Sequence, residues 1–269
     1  MITQSNFGMA FSLTLLAGLA TAIGGMIAFV TKKDNLKALS ISLGFSAGVM
    51  IFISLVDIIP GAENLLKTHF PHGYQWLVFG GFILGILISL LIDYFIPDHV
   101  DTDELLNPED NEAYERHHSR LLKRAGIVTA VAICIHNFPE GMATFLTTTQ
   151  DLTLGFSVAF AIAIHNIPEG ISVALPIYHL TGKKRYAMLY AALSGITEPI
   201  GALVGMFIFG LFVPNFFVGF LMATVAGIMT YISFDTILPL AKEYGSWHLS
   251  IIGIISGIIF IWFGLILLG

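Results

Sequence analysis

The sequence predicts an all-α polytopic membrane protein with eight transmembrane helices. Hydrophobic residues make up 56% of the 269 residues and charged residues only 11%, whereas roughly 25% of an ordinary soluble domain is charged. Eight apolar stretches each have the length of about 20 residues or more with which a helix crosses the hydrocarbon core. They are continuous, unlike the short alternating strands of a membrane β-barrel. We therefore expect one integral membrane domain over residues 1–269.

The predicted spans follow one another closely, apart from a longer loop after the third. They comprise residues 8–30, 38–60, 76–96, 125–148, 153–176, 187–211, 216–240 and 249–268. The leader MITQSNFG lacks the basic region of a signal peptide, so we expect the first helix to be retained. The single cysteine, Cys134, lies inside the fourth span, which excludes an intrachain disulfide bond.

The basic residues predict the orientation of the bundle. With eight spans, every second loop lies on the same side of the membrane. Eleven of the twelve Lys and Arg residues then fall on one side, and only Lys67 falls on the other. Because cytoplasmic loops carry the excess of Lys and Arg, this side is predicted to be cytoplasmic and both chain termini are predicted to be extracytoplasmic.

The loop after the third span, residues 97–124, is acidic and contains His99, His117 and His118. Its low content of apolar residues predicts a flexible cytoplasmic segment. One interpretation is a solvated linker. The other is a segment that collects metal ions, because carboxylates and imidazoles are both metal ligands.

Six acidic residues and two histidines lie within the spans or at their ends. They are Asp57, Asp93, Glu140, Glu169, Glu198, Asp235, His136 and His165. Ionisable residues inside a membrane usually face the bundle interior and mark ion pathways or proton relays. The spans therefore predict a polar pathway through the bundle.

Asp57 in SLVDIIP and Asp235 in SFDTILP end spans two and seven, which cross the membrane in opposite directions. Their similarity predicts an inverted repeat, the architecture of many secondary transporters. We interpret the two residues as acids at the outer and cytoplasmic mouths of a pathway. The alternative is that acids at span ends reach out to water, which fits Asp93 best.

A repeated hexapeptide carries the strongest signal, HNFPEG at 136–141 and HNIPEG at 165–170. Residues i and i+4 share a helix face, so His136 lies over Glu140 and His165 lies over Glu169. Two facing helices would offer two nitrogens and two carboxylates, which suits Zn²⁺, with Fe²⁺, Mn²⁺ or Co²⁺ also compatible. Ca²⁺ and Mg²⁺ prefer shells made of oxygen alone and fit less well.

The other residues of the hexapeptide extend this interpretation. Asn137 and Asn166 add amide oxygens beside the first set of ligands, so that a second, oxygen-rich metal position becomes possible. Each proline removes an amide donor and predicts a kinked helix with a freed carbonyl group. Gly141 and Gly170 would permit close approach of neighbouring helices.

Glu198, in GITEPIG, lies in the middle of the sixth span, where Pro199 is expected to break the helix. We expect the metal site to be its partner. The alternative is a buried pair between Glu198 and a polar side chain.

These features resemble those of the ZIP (Zrt/Irt-like) metal transporters, in particular the bacterial ZupT type. HNFPEG in span four, HNIPEG in span five, Glu198 in span six and the acidic loop carry the resemblance, which covers essentially the whole chain. It implies a transporter rather than an enzyme, with spans four and five at the centre. It further implies a homodimer in the bacterial inner membrane that moves divalent metal, zinc first, into the cytoplasm.

The resemblance also implies a two-metal site. One position would use His136, Glu140, His165 and Glu169, and the other Asn137, Asn166 and Glu198 with the two motif glutamates bridging. The metal is then cargo, and no cofactor is expected. A residue of span two can complete the first position in this family, and the sequence does not identify it.

Two other classes of membrane protein also place metal ligands in helices. An intramembrane zinc protease would carry H-E-x-x-H, which does not occur in the chain. A di-iron oxidase would carry Glu-x-x-His, which does not occur within the spans. The small basic clusters give no support for nucleic-acid binding. The absence of G-x-x-x-x-G-K argues against ATP-driven transport by this chain alone.

Overall fold

The computed structural model describes residues 4–30, 35–95, 111–150, 152–209 and 215–268. Their α-helices are α1 Gln4–Ile27, α2 Leu36–Ile53, α3 Ile59–His69, α4 Tyr74–Phe95, α5 Asn111–Gln150, α6 Leu152–Thr181, α7 Lys184–Gly195, α8 Thr197–Phe209, α9 Asn215–Ile232, α10 Leu238–Glu243 and α11 Trp247–Leu268. A 3₁₀ turn, Ala28–Val30, extends α1. Two π-helical segments, Ser54–Ile58 and Ser233–Ile237, join α2 to α3 and α9 to α10.

The helices confirm a polytopic bundle of eight spans. Within the described residues, seven helical segments are long and apolar enough to cross a membrane, and three of them are the joined pairs α2–α3, α7–α8 and α9–α10. The eighth span is α5, which has 40 residues and is therefore about 60 Å long. Its hydropathy is lower because it carries HNFPEG and begins with a charged stretch.

Part of the predicted acidic loop is helical. Residues 97–110 of the predicted loop lie outside the described residues, whereas residues 111–124 are helical and form the beginning of α5. The prediction of a flexible cytoplasmic loop over residues 97–124 stays a prediction, and its second half is helical. The physical reason is that residues 111–124 contain no Gly or Pro and are rich in Glu, Arg and Leu, which favour a helix.

The packing of the helices confirms the inverted repeat. Helix α1 packs against α6, and its counterpart α8 packs against α5 in the other half. Likewise, α2 packs against α11, and its counterpart α9 packs against α4. The central helices α5 and α6 pack against each other. The π-helical segments match as well, because each contains an aspartate and leads into a helix with proline in its first turn. An approximate twofold axis therefore relates the two halves of the bundle.

The apolar core lies among α2, α5, α6 and α9, where Leu43, Ile133, Leu175 and Met229 are fully buried. Helices α4 and α11 lie at the periphery, and only 22% of the most apolar 18-residue stretch of each helix is buried. Their exposed side chains are large and hydrophobic, as expected of a surface in contact with lipid. The layout leaves α5 and α6, which carry the repeated hexapeptide, in the interior.

Candidate metal centre

The histidine and glutamate of the two hexapeptides form two pairs across the interface of α5 and α6. His136 Nε2 lies 2.9 Å from Glu169 Oε1, and His165 Nε2 lies 3.5 Å from Glu140 Oε2. Since the two helices are antiparallel, the histidine of one helix lies level with the glutamate of the other. The structure brings the four residues together in two pairs, and the direct partner of each histidine is on the other helix.

The two pairs form two layers that differ in their access to the surroundings. The layer of Glu140 and His165 lines a cavity of about 610 Å³. Asp57 and Asn64 line the same cavity, on the side of α3. The layer of His136 and Glu169 is fully buried, with 0% of either side chain exposed. The cavity therefore reaches the first layer and ends there.

The two asparagines anchor the hexapeptides to the outer helices. Asn137 Nδ2 donates to the carbonyl oxygen of Ser194 at 3.2 Å. Asn166 Nδ2 donates to the carbonyl oxygen of Ala17 at 2.9 Å and also to Glu198 Oε1. Because the amide nitrogens make these bonds, the amide oxygens of both residues remain as acceptors inside the bundle.

Glu198 lies at a break between two helices. Helix α7 ends at Gly195 and α8 begins at Thr197, so that Glu198 lies in the first turn of α8. The positive end of a helix dipole stabilises a negative charge there, and Pro199 is tolerated because the first turn needs no amide donor. The bond from Asn166 is the polar pair that the sequence offered as an alternative, and it places the Glu198 carboxylate beside the second hexapeptide.

Unsatisfied polar atoms concentrate on the seven predicted ligands. Within the part of the chain that the structure describes, nine of their buried nitrogen and oxygen atoms make no hydrogen bond; these are His136 Nδ1, Asn137 Oδ1, both Glu140 carboxylate oxygens, His165 Nδ1 and Nε2, Asn166 Oδ1, Glu169 Oε2 and Glu198 Oε2. Two of the nine, His165 Nε2 and Glu140 Oε2, face each other at 3.5 Å. Buried polar atoms in native proteins almost always have a partner. The donor set, with imidazole nitrogens and carboxylate and amide oxygens, fits a divalent transition metal ion.

The residues do not form a ready-made cage. In the part of the chain that the structure describes, no three His, Cys, Asp or Glu side chains are arranged to hold an ion. The geometry explains this, because each histidine lies against a carboxylate of the opposite helix. An ion bound here would replace the contact between histidine and glutamate.

The hexapeptide glycines permit the close packing around the centre, as predicted. A Cβ atom at Gly141 would overlap the carbonyl oxygen of Glu198, and one at Gly170 would overlap the carbonyl oxygen of Thr21. Helices α8 and α1 therefore approach the two hexapeptides in equivalent ways.

The prolines lie inside continuous helices, and the predicted kink stays a prediction. Helices α5 and α6 continue through Pro139 and Pro168 and are not interrupted there. The polar contact at this point is a hydrogen bond of 2.8 Å from Ser46 Oγ, on α2, to the carbonyl oxygen of Pro168. Sequence analysis missed Ser46, since the only signal was a small polar residue in an apolar span.

The structure separates the two predicted pathway acids. Asp57 lies in the π-helical segment after α2 and lines the cavity with Glu140 and His165. Asp235 lies in the matching segment after α9 and is not part of the cavity lining. Since α2 and α9 cross the bundle in opposite directions, the two acids lie towards opposite ends.

Comparison with known proteins identifies the family. The family model "ZIP Zinc transporter" matches residues 97–265. Zinc transporter ZupT of Akkermansia muciniphila is 47% identical over 261 residues, which cover 96% of this chain and 97% of the relative. Zinc transporter ZupT of Campylobacter jejuni is 48% identical over 287 aligned positions, and 99% of each chain is covered. With this match over nearly its full length, the chain belongs to the ZIP family of zinc transporters.

Proposed function

We propose that this protein imports Zn²⁺ into the cytoplasm through a centre formed by α5, α6 and α8. The observation that carries the proposal is the set of nine unsatisfied buried atoms on the seven ligand candidates. Zinc as the cargo is supported by the family and by the printed names of the relatives. Fe²⁺, Mn²⁺ and Co²⁺ are further candidates because they accept the same ligand types.

The first metal position consists of His136, Glu140, His165 and Glu169. Two neutral imidazoles and two carboxylates carry a charge of −2, which balances a divalent ion. Removing water from an ion inside a protein is very costly unless charged or polar ligands replace it. The four residues supply that replacement because they are buried and lie level in two adjacent layers.

The second metal position consists of Asn137, Asn166 and Glu198, with Glu140 and Glu169 as bridging ligands. Its unsatisfied atoms on the first three residues are all oxygens. The amide nitrogens of both asparagines are held by carbonyl groups of α1 and α7, which directs the amide oxygens away from those helices. The position is therefore richer in oxygen than the first.

The proposed route begins at the cavity and ends near Asp235. On the predicted orientation, the cavity side with Asp57 faces the outside of the cell. An ion passes Asp57, reaches Glu140 and His165, and then meets His136 and Glu169 in the closed layer. Asp235, in the matching π-helical segment, is proposed as the acid at the cytoplasmic mouth.

The proposal includes the setting of the protein. We place it in the bacterial inner membrane with both termini outside the cytoplasm, as the loop charges indicate. The exposed apolar surfaces of α4 and α11 contact lipid, and the protein assembles as a homodimer. The intramembrane protease considered from the sequence gains no support, since the family and the relatives named above are transporters.

The decisive experiment measures uptake of zinc-65 into proteoliposomes that contain the purified protein. Glu140→Ala and Glu169→Ala each remove one carboxylate of the first position, and we expect uptake to fall more than about 100-fold, beyond the range seen for supporting residues. Glu63→Ala is the matched control, because Glu63 lies on α3 outside the centre. Uptake at the level of the unmodified protein in both centre variants would reject the proposal.

A further inference from the structure

Thr21 on α1 occupies the position that the approximate twofold axis assigns to Glu198 on α8. The axis passes between Gly18 and Gly195, because a Cβ atom on either glycine would overlap the carbonyl oxygen of the other. The Cβ added at Gly18 would lie 3.4 Å from Glu198 Cβ, and the Cβ added at Gly195 would lie 3.1 Å from Thr21 Cβ. Each side chain therefore packs against the other helix in the same way.

The contacts of the two hexapeptides repeat this equivalence. Asn166 bonds to the carbonyl oxygen of Ala17, four residues before Thr21, and Asn137 bonds to that of Ser194, four residues before Glu198. The carbonyl oxygens of Thr21 and Glu198 are themselves the groups that the two hexapeptide glycines approach. By this symmetry, the side chain of Thr21 has the same position relative to Asn137 that the side chain of Glu198 has relative to Asn166.

Among the described residues, the hydroxyl group of Thr21 has no hydrogen-bond partner. Thr21 is fully buried, and its Oγ1 makes no hydrogen bond to any residue that the structure describes. Buried threonines in helices normally donate to the carbonyl four residues earlier, as Thr14 does to Ala10 at 2.9 Å on the same helix. For Thr21 the corresponding carbonyl, that of Ala17, accepts from Asn166 instead.

We propose that Thr21 is a specificity-determining residue, whose hydroxyl supplies a neutral oxygen to the metal ion in the second position on the Asn137 side. The inference rests on the proposed function and deepens it. The two symmetry-related helices then contribute different ligands to the centre: α8 contributes a carboxylate and α1 contributes a hydroxyl. Because the Thr21 hydroxyl is neutral, it adds an oxygen ligand to the second position without adding negative charge. It favours oxygen-preferring ions there, such as Mn²⁺, over softer ones.

The test compares the KM for Mn²⁺ with the KM for Zn²⁺ in the proteoliposome assay. Thr21→Val keeps the shape and removes the oxygen, so we expect the KM for Mn²⁺ to rise roughly tenfold and the KM for Zn²⁺ to rise much less. Thr21→Ser keeps the oxygen and restores the Mn²⁺ value. Thr14→Val is the matched control, since it removes a buried hydroxyl from α1 whose bond is to Ala10.

A second variant keeps the test valid if Thr21→Val does not fold. Thr21→Cys replaces the hydroxyl by a softer sulfur ligand, and we expect uptake of Cd²⁺ relative to Mn²⁺ to increase. A residue that only fills space would leave both ratios unchanged, and that result overturns the inference. If Glu140→Ala abolishes uptake while the Thr21 variants match the unmodified protein, only this inference fails. If Glu140→Ala and Glu169→Ala transport normally, the proposed function fails.

Discussion

His136 Nε2 lies 2.9 Å from Glu169 Oε1, although the two residues are 33 positions apart and belong to antiparallel helices. The contact joins the histidine of one hexapeptide to the glutamate of the other. Both side chains are fully buried, so each satisfies a charge or a polar atom that would otherwise be costly in the bundle. The centre is therefore a property of two helices together, and removing one partner affects the other.

The crossed pairing predicts which residues are energetically coupled in the metal-free protein. With chelator present, His136→Ala combined with Glu169→Ala should show a coupling free energy of about 0.5–3 kcal/mol in thermal unfolding. His136→Ala combined with Glu140→Ala, on the same helix, should be closer to additive. The reverse order of the two coupling energies would contradict the pairing seen here.

Replacement of Glu169 by glutamine should show whether zinc uptake depends on the charge of this side chain or on its size. Glu169→Gln keeps the size of the side chain beside His136 and removes one negative charge from the first position. We expect zinc uptake to fall more than about 100-fold, while the unfolding temperature in chelator changes little. Equilibrium binding of zinc-65 to the purified variant measures the loss directly, and unchanged affinity would show that the carboxylate is not a ligand.

The hexapeptide glycines should tolerate no side chain. Gly170→Ala and Gly141→Ala each place a methyl group against a neighbouring helix backbone, and we expect destabilisation of about 1–3 kcal/mol. Gly80→Ala on α4 is the control, because a Cβ atom there meets nothing within 4 Å and alanine favours a helix. Unfolding in detergent measures all three, and equal stabilities would contradict the packing described.

Asp57 should affect capture of the ion more than its passage. It lines the cavity together with Glu140 and His165 and is not one of the four proposed ligands, so Asp57→Asn weakens attraction of a cation to the cavity and keeps all four ligands of the first metal position. We expect a higher KM for zinc with little change in the maximal rate, and a smaller difference from the unmodified protein at high salt, which screens charges. Asp93→Asn serves as the comparison. A lower maximal rate with unchanged KM would assign Asp57 to a later step.

The orientation can be tested by labelling from outside the cell. In a Cys134→Ser background, Lys67→Cys should react with a membrane-impermeant maleimide on intact cells, whereas Lys242→Cys should react only after the membrane is opened. The expectation follows from the position of Lys67 as the single basic residue on its side of the predicted topology. The opposite labelling pattern would place the cavity on the cytoplasmic side.

Much of the fold was readable from the sequence because membrane helices are governed by local rules. A span must be long and apolar enough to cross the bilayer and must satisfy its own backbone, and both conditions are visible in a single stretch of residues. The polar residues that break the apolar pattern, above all His136, Glu140, His165 and Glu169, stood out for the same reason. Helical propensity over residues 111–124 was also visible locally, and these residues are helical in the structure.

The sequence by itself determined the class of protein, the number of spans and the candidate residues of the proposed centre. Only the tertiary structure decided that each histidine meets the glutamate of the opposite helix, that Ser46 reaches Pro168, and that Thr21 stands opposite Glu198. These relationships join residues far apart in the chain, and they depend on how closely the glycines let neighbouring helices approach. Spacing within one helix reports which residues share a face, whereas packing between helices decides what that face meets.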